Sequence, residues 1–207
     1  MTQGEIETRT GWRGSAEAWL NAAYRILVER GVAYIKIGTL ADDLGLSRTS
    51  FYWHFADRKA LLAALIRQWE DKNTGNLVRQ SGLYAETIAE AVLNVFDCWI
   101  DEELFDSRLD FAIRNWAQAD PDLKSELLRT DETRIAALQA MFGRFGFDTD
   151  TADIRARTLY LTQVGYISMT TVEPRKTRLS RMPGYVEAFT GLAPTRGEFE
   201  RFLSRHR

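Results

Sequence analysis

Apolar residues recur at helical spacing along almost the whole chain, and the breaks between them fall at helix-capping residues. Trp19, Leu20, Ala23, Ile26 and Leu27 form one such stripe over residues 15–30. Ser15 supplies an N-cap and Gly31 a left-handed C-terminal stop, which predicts a first helix between them. A second, short helix carries Leu40, Ala41 and Leu44 and ends at Gly45. After a tight turn through Leu46, Ser47 caps a third helix predicted to end near Phe55. Asp57 then reads as the N-cap of a longer fourth helix, with Leu61, Leu62, Leu65, Ile66 and Trp69 on one side.

The helical period persists beyond residue 82. Ile88, Val92, Phe96 and Trp99 line one predicted helix, and Leu109, Ile113 and Trp116 another. Pro121 opens a long helix through Leu127, Leu128, Ile135, Leu138 and Phe142, the favoured place for a helix proline. Gly143 and Gly146 break the chain, and Asp150 is expected to open a helix carrying Ile154, Leu159, Leu161, Val164 and Ile167. Residues 171–183 (TVEPRKTRLSRMP) predict a basic loop, followed by a short helix around Tyr185 to Phe189. The last helix begins at Thr195, where T-R-G-E is a capping box. No strand, repeat or low-complexity tract is predicted, so the fold class is all-α.

Composition narrows the function. A length of 207 residues allows one large or two small domains. A net charge of −2 means that any surface for a polyanion must be local. The single cysteine, Cys98, excludes an intramolecular disulfide. No apolar run approaches the roughly 18 residues of a membrane span, and the N-terminal MTQGEIETRTGWRGS lacks an apolar signal core. The expectation is a cytoplasmic protein without a membrane partner.

One stretch departs from ordinary composition. SRTSFYWHFADRKALL, residues 47–62, sets Phe51, Tyr52, Trp53 and Phe55 beside Arg48, His54, Arg58 and Lys59. A core helix would take the rings but not the cations, and a solvated helix the cations but not Trp53. Three short helices joined by tight turns have helix-turn-helix spacing, in which the third helix enters the DNA major groove. At about 100° per residue, Phe51 and Phe55 share a core face, Thr49 and Trp53 point away from it, and Tyr52 and Ser50 lie on the flanks. Arg48 can then donate to a guanine edge, and Thr49 or Trp53 can touch a thymine methyl. Tyr52, Arg58 and Lys59 suit phosphates; cations at a helix start oppose its dipole, so an intrahelical purpose explains them poorly.

The run LADDLGLSRTSFYWHFADRKALLAAL resembles the N-terminal domain of tetracycline-repressor-type (TetR family) regulators. The matching elements are Leu40-Ala41, Gly45-Leu46-Ser47, Tyr52-Trp53-His54-Phe55, Arg58 and Leu61-Leu62, with Ala23, Leu27 and Gly31 upstream. The resemblance implies a helix-turn-helix DNA-binding domain over 1–57 and a larger helical effector-binding and dimerisation domain over 58–207. It further implies a homodimer that binds a pseudo-palindromic double-stranded DNA operator, usually represses, and is released by a small-molecule effector. Carried over position by position, the DNA-contacting set is Thr39, Ser47, Arg48, Thr49, Ser50, Tyr52, Trp53, His54 and Arg58, to which the charge argument adds Lys59. Two positions depart from the family pattern. Lys36 stands where a Thr or Ser cap of the second helix is usual, and becomes a candidate phosphate contact. Gly38 stands where a polar DNA-contacting side chain is common, so the second helix is expected to add little base readout.

The C-terminal part is rich in aromatic and methionine residues. The resemblance makes some of them walls of an effector cavity, with Phe96, Trp99, Phe111, Trp116, Met141 and Tyr166 as candidates. Arg114 and Arg134 could meet an anionic ligand, but ion pairs with acids such as Asp131 are the ordinary alternative. Helices near 150–169 and 184–203 are the candidate dimer faces, with Gly165 permitting close approach.

An enzyme is the rival class. The histidines are His54 and His206, the second in a tail expected to fray, and Cys98 has no histidine near it in sequence. No spacing suggests a metal site, a phosphate loop or a dinucleotide fingerprint, so no catalytic residue, metal or cofactor is expected. A helical ligand-binding or scaffold protein without sequence-specific DNA binding is the alternative, and it leaves Arg48 and Trp53 unexplained.

Overall fold

The computed structural model describes residues 14–206, which form eleven α-helices and no strand. The expectation for the N-terminal signal region lies almost wholly outside the described residues. Internal packing divides the chain into two compact units, one ending at Leu65 and the other starting at Ile66. The sequence suggested a division after residue 57. The first unit runs further because the buried Leu61, Leu62 and Leu65 belong to it.

In the first unit, α1 (Ala16–Arg30) is capped by Ser15, whose hydroxyl accepts the Ala18 N–H at 3.1 Å. A 3₁₀ turn, Val32–Tyr34, leads to α2 (Ile37–Leu44). Next come α3 (Arg48–Phe51) and α4 (Arg58–Trp69), with the Asp57 carboxylate accepting the Ala60 N–H at 2.8 Å. Trp19, Ile26, Leu40, Phe51 and Leu61 are buried at the centre, and Trp19 meets Phe51 edge to face at 5.3 Å between centroids. Regular α3 stops at Phe51 rather than near Phe55. Beyond it the chain tightens: Trp53 N–H donates to Ser50 O at 3.3 Å and His54 N–H to Phe51 O at 2.9 Å. Such i to i+3 bonds are the 3₁₀ way of ending a helix, and consecutive rings at 51–53 are poor helix formers.

The second unit begins with the end of α4, which continues through a π-helical turn, Glu70–Thr74, into α5 (Gly75–Gly82). Its centre is α6 (Ile88–Ile100), buried on nearly every side, against which α5, α8, α10 and α11 pack. α7 (Ser107–Ala117), α8 (Pro121–Arg144) and α9 (Thr149–Ser168) pack on one another. The cap of α9 is Asp148, accepting the Thr151 N–H at 2.9 Å, so Asp150 lies in the first turn rather than at the cap.

Two expectations at the C-terminal end are corrected. Most of the supposed basic loop is helix, since α10 runs from Arg175 to Thr190 with Pro183 inside it. Leu179, Met182, Val186 and Phe189 keep helical spacing straight through the proline and pack into the core, which outweighs the one backbone bond it removes. The terminal tail is tied down rather than frayed. His206 is buried, with its Nε2 2.7 Å from Asp97 Oδ1 and its ring 4.7 Å from Phe202, just past α11 (Arg196–Arg205).

A buried ion network holds the second unit together. Asp110 Oδ1 accepts from Trp69 Nε1 at 2.8 Å and from Arg134 at 2.9 Å, while Oδ2 accepts from Arg114 Nε at 2.8 Å. Arg114 also forks onto Asp131 at 2.9 and 2.7 Å, and the Tyr160 hydroxyl donates to Asp131 at 2.6 Å. Arg134 therefore answers the buried Asp110, and Arg114 joins Asp110 to the partly exposed Asp131. Burial by itself would raise the Asp110 carboxyl, but Arg134 and Arg114 hold it well below the usual carboxylate range, at about 2.

Asp110→Asn leaves Arg134 buried without its counter-charge, so we expect a loss of about 3–5 kcal/mol in urea unfolding at neutral pH. Folded Asp110 takes up its proton less readily than the unfolded chain, so its contribution is complete above about pH 4 and fades as pH falls toward 2. The gap between wild type and variant should therefore shrink from pH 6 to pH 3. An unchanged gap would remove Asp110 as the source of acid sensitivity.

Candidate nucleic-acid interface and effector cleft

The turn between α2 and α3 is set by Gly45, at φ 62° and ψ 31°. The Leu46 N–H donates to Ala41 O at 2.9 Å and the Gly45 N–H to Asp42 O at 3.2 Å, the two bonds of a Schellman stop. Ser47 then restarts the chain, its hydroxyl accepting the Ser50 N–H at 3.3 Å. Phe51 is wholly buried, which turns the other side of this short element outward. Arg48 and Thr49 are exposed, with Tyr52 at 58% and Trp53 at 66% exposure. Lys36 and Lys59 are exposed too, and Lys36 gives α2 no side-chain cap, as its type requires.

Gly38 has a structural counterpart in Arg48. A Cβ added at Gly38 would stand 2.9 Å from a terminal guanidinium nitrogen of Arg48 and 3.3 Å from its Cζ. The Arg48 head therefore rests where a side chain at position 38 would project.

Other expected contacts lie elsewhere. Ser50 is only 8% exposed, its hydroxyl 3.1 Å from that of Ser47, because it packs inside the turn. Thr39 and His54 are half-buried, and His54 Nε2 is shielded with no partner among the described residues. Arg58 does not reach outward as a phosphate cation. Its Nε donates to Ile35 O at 2.5 Å and a terminal nitrogen donates to Val32 O at 2.7 Å. It thereby satisfies carbonyls of the turn between α1 and α2, a role with no local sequence signal because the partners lie 23 and 26 residues away.

In the second unit a narrow cleft opens between α6, α9 and α10. Its volume is about 380 Å³ out to the mouth, and Phe96, Trp99, Gln163, Tyr166, Arg178 and Tyr185 are among its walls. Of the expected ligand residues, Phe96, Trp99 and Tyr166 come together here, and Phe111, Trp116 and Met141 do not line it. Met141 is wholly buried core, Phe111 packs against that core, and Trp116 donates its indole N–H to Asp120 at 3.1 Å. The sequence reading missed Gln163 and Arg178, the latter because its segment looked like loop. Burial pushes the Tyr166 phenol up to about 12, and its bond to Glu173 adds to the effect.

Among the described residues no group of three or more His, Cys, Asp or Glu converges on a possible metal site. Cys98 is wholly buried, and that burial pushes its thiol up to about 12, far from a reactive thiolate. No helix among the described residues is long and apolar enough to cross a membrane.

The class of protein defined here is an all-helical chain with an N-terminal helix-turn-helix unit and a larger helical second unit. Residues 20–65 match the family model described as bacterial regulatory proteins, tetR family. Over 91 residues the chain is 28% identical to the HTH-type transcriptional regulator AcrR of Shigella flexneri, a match that spans 41% of this chain and 41% of that relative. The fold is similar to that of Mycobacterium smegmatis AmtR, with a TM-score of 0.63 at 17% identity over 96% of each chain. A transcriptional regulator from Rhodococcus sp. Rha1 gives a TM-score of 0.59 at 20% identity, over 93% of this chain and 97% of that one. The likeness in sequence to the tetR family is therefore carried by the helix-turn-helix unit, residues 20–65.

Replacing Arg58 by Leu removes two charge-assisted bonds to buried-side carbonyls. The first unit should lose about 1.5–3 kcal/mol, read as faster amide exchange in α1 and α2. Equal protection in variant and wild type would mean that the turn holds without Arg58.

Proposed function

We propose that the chain is a cytoplasmic transcriptional regulator that binds a pseudo-palindromic operator as a homodimer, represses, and is released by a small-molecule effector. The first unit is the DNA-binding domain. The second, from Ile66 onward, binds the effector and dimerises. The observation that carries the reading is the outward face of Arg48, Thr49, Tyr52 and Trp53 on a tetR-family helix-turn-helix. Arg48 reads a guanine, Thr49 and Trp53 touch thymine methyls, and Tyr52, Lys36 and Lys59 meet phosphates. Because Gly38 leaves its place to the Arg48 head, base readout gathers on Arg48 rather than on α2.

Dimerisation is supported by apolar side chains left uncovered on α9. Ile154 is 65% and Leu161 57% exposed, with Thr158 and Gly165 along the same helix and Met169 at its C-cap. The other expected dimer element, 184–203, spans the end of α10 and most of α11, both of which also pack on α6. A rigid two-fold pair then fixes half-sites about one helical turn, roughly 34 Å, apart or a multiple of it.

Fluorescence anisotropy against DNA from just upstream of the gene tests this. Several phosphate contacts predict an affinity loss of roughly a hundredfold or more between about 50 and 200 mM salt. Trp53→Ala combined with Tyr52→Phe should abolish the preference for that DNA over random sequence. Absence of salt-sensitive binding to any DNA would refute the regulator and leave a helical ligand carrier. Gly38→Ser gives a finer check. Its Cβ displaces the Arg48 head, so operator affinity should fall by about tenfold with relaxed preference at one base pair; unchanged preference would separate Arg48 from base reading.

A further inference from the structure

The cleft of the second unit has more hydrogen-bond donors than acceptors to answer them. Trp99 is 4% and Gln163 7% exposed, and the Trp99 indole nitrogen and the Gln163 amide nitrogen are both buried with no partner among the described residues. Both side chains line the cleft. Buried donors normally find acceptors, and two orphans lining one cleft, Trp99 from α6 and Gln163 from α9, are an exception that calls for an occupant. Arg178 adds a cation. It lies over the Tyr166 ring at 4.6 Å and makes no ion pair among the described residues. Glu173, the carboxylate of the cleft, attracts it through space but makes no ion pair with it. One Glu173 oxygen accepts from the Tyr166 hydroxyl at 2.6 Å and the other from Arg181 at 2.6 Å. Glu173 and Arg181 cancel, so the cleft retains one positive charge and two unanswered N–H groups. Burial lowers the Arg178 guanidinium, the sign of a cation in a poorly solvated place. The remaining walls are apolar: Phe96, Leu159, Met182 and Phe189, with Tyr185 stacked on Phe189 at 6.3 Å between centroids.

We infer that the effector is a small organic monocarboxylate with an aromatic or aliphatic body, its carboxylate answering Arg178, Gln163 and Trp99 and its body lying among Phe96, Tyr185 and Phe189. A neutral ligand would leave the charge bare, and a cation would be repelled by it. Inorganic phosphate would match the donors but leave the apolar walls empty.

This rests on the reading of the second unit as an effector domain, and calorimetry on the full chain separates the two. Benzoate, phenylacetate and hexanoate are titrated against their neutral amides and against inorganic phosphate. At least one carboxylate should bind at least tenfold more tightly than its amide, since a hydrogen-bonded charge is worth that much. Arg178→Gln should erase that preference, and Gln163→Leu should weaken the carboxylate more than the amide. Equal binding of acid and amide, preference for phosphate, or no binding by any of the three acids would each overturn the inference. The comparison of acid with amide stands on the unaltered protein, whether or not a variant folds. Titrating operator DNA in the same preparation keeps the two readings apart. Salt-sensitive DNA binding without carboxylate binding overturns the ligand class alone; carboxylate binding without DNA binding overturns the regulator and leaves the ligand class standing.

Discussion

The second unit is organised by one carboxylate. Asp110 has no exposure to water, yet it stays charged because the Trp69 indole, Arg114 and Arg134 all donate to it. Arg134 is equally buried, stacked over the Trp69 and Phe105 rings and bonded to Thr74 in the π-helical turn. A single acid thereby fixes the end of α4, the turn after it, α7, α8 and, through Tyr160, α9. Desolvating these charges is costly, and their mutual attraction offsets that cost only while every partner is in place. Apolar contacts alone would fill the same space, but would not specify the register of those helices so narrowly.

α9 shows what this anchoring permits. Tyr160 points its hydroxyl into the ion network, while Leu159, Gln163 and Tyr166 line the cleft. Ile154 and Leu161 remain bare on a third side. One helix thus serves the network, the cleft and an uncovered apolar face. Because Tyr160 holds the helix in rotation, Gln163 and Tyr166 keep their places in the cleft.

The first unit solves a smaller problem by different means. Its α3 is a single turn of regular helix, far too short to be stable alone. Gly45, the Ser47 cap, the Trp19–Phe51 ring contact and the two Arg58 bonds hold it from outside. Arg58 illustrates the limit of reading charge from sequence. A cation at the start of a helix has no helix-dipole rationale, and a phosphate was the evident alternative. The folded chain supplies a third partner, a pair of backbone carbonyls brought close by the turn between α1 and α2.

What the sequence determined by itself was local. Caps at Ser15, Ser47, Asp57 and Thr195, the stop at Gly45 and the spacing of apolar residues fix where helices begin and which residues face inward, because a side chain reaches only a few positions along its own helix. The outward rings Tyr52 and Trp53 and the cation Arg48 were legible for the same reason. Tertiary structure decided the rest. Pro183 reads as a break until Met182 and Val186 are seen packed in the core, and His206 reads as a frayed end until Asp97 and Phe202 hold it. Trp99 and Trp116 look alike in sequence, yet one lines the cleft and the other bonds Asp120. Such partners sit far along the chain, and no periodicity within one helix carries information about them; only the packing of helix on helix brings an orphaned donor, an unanswered cation and an apolar wall into one place.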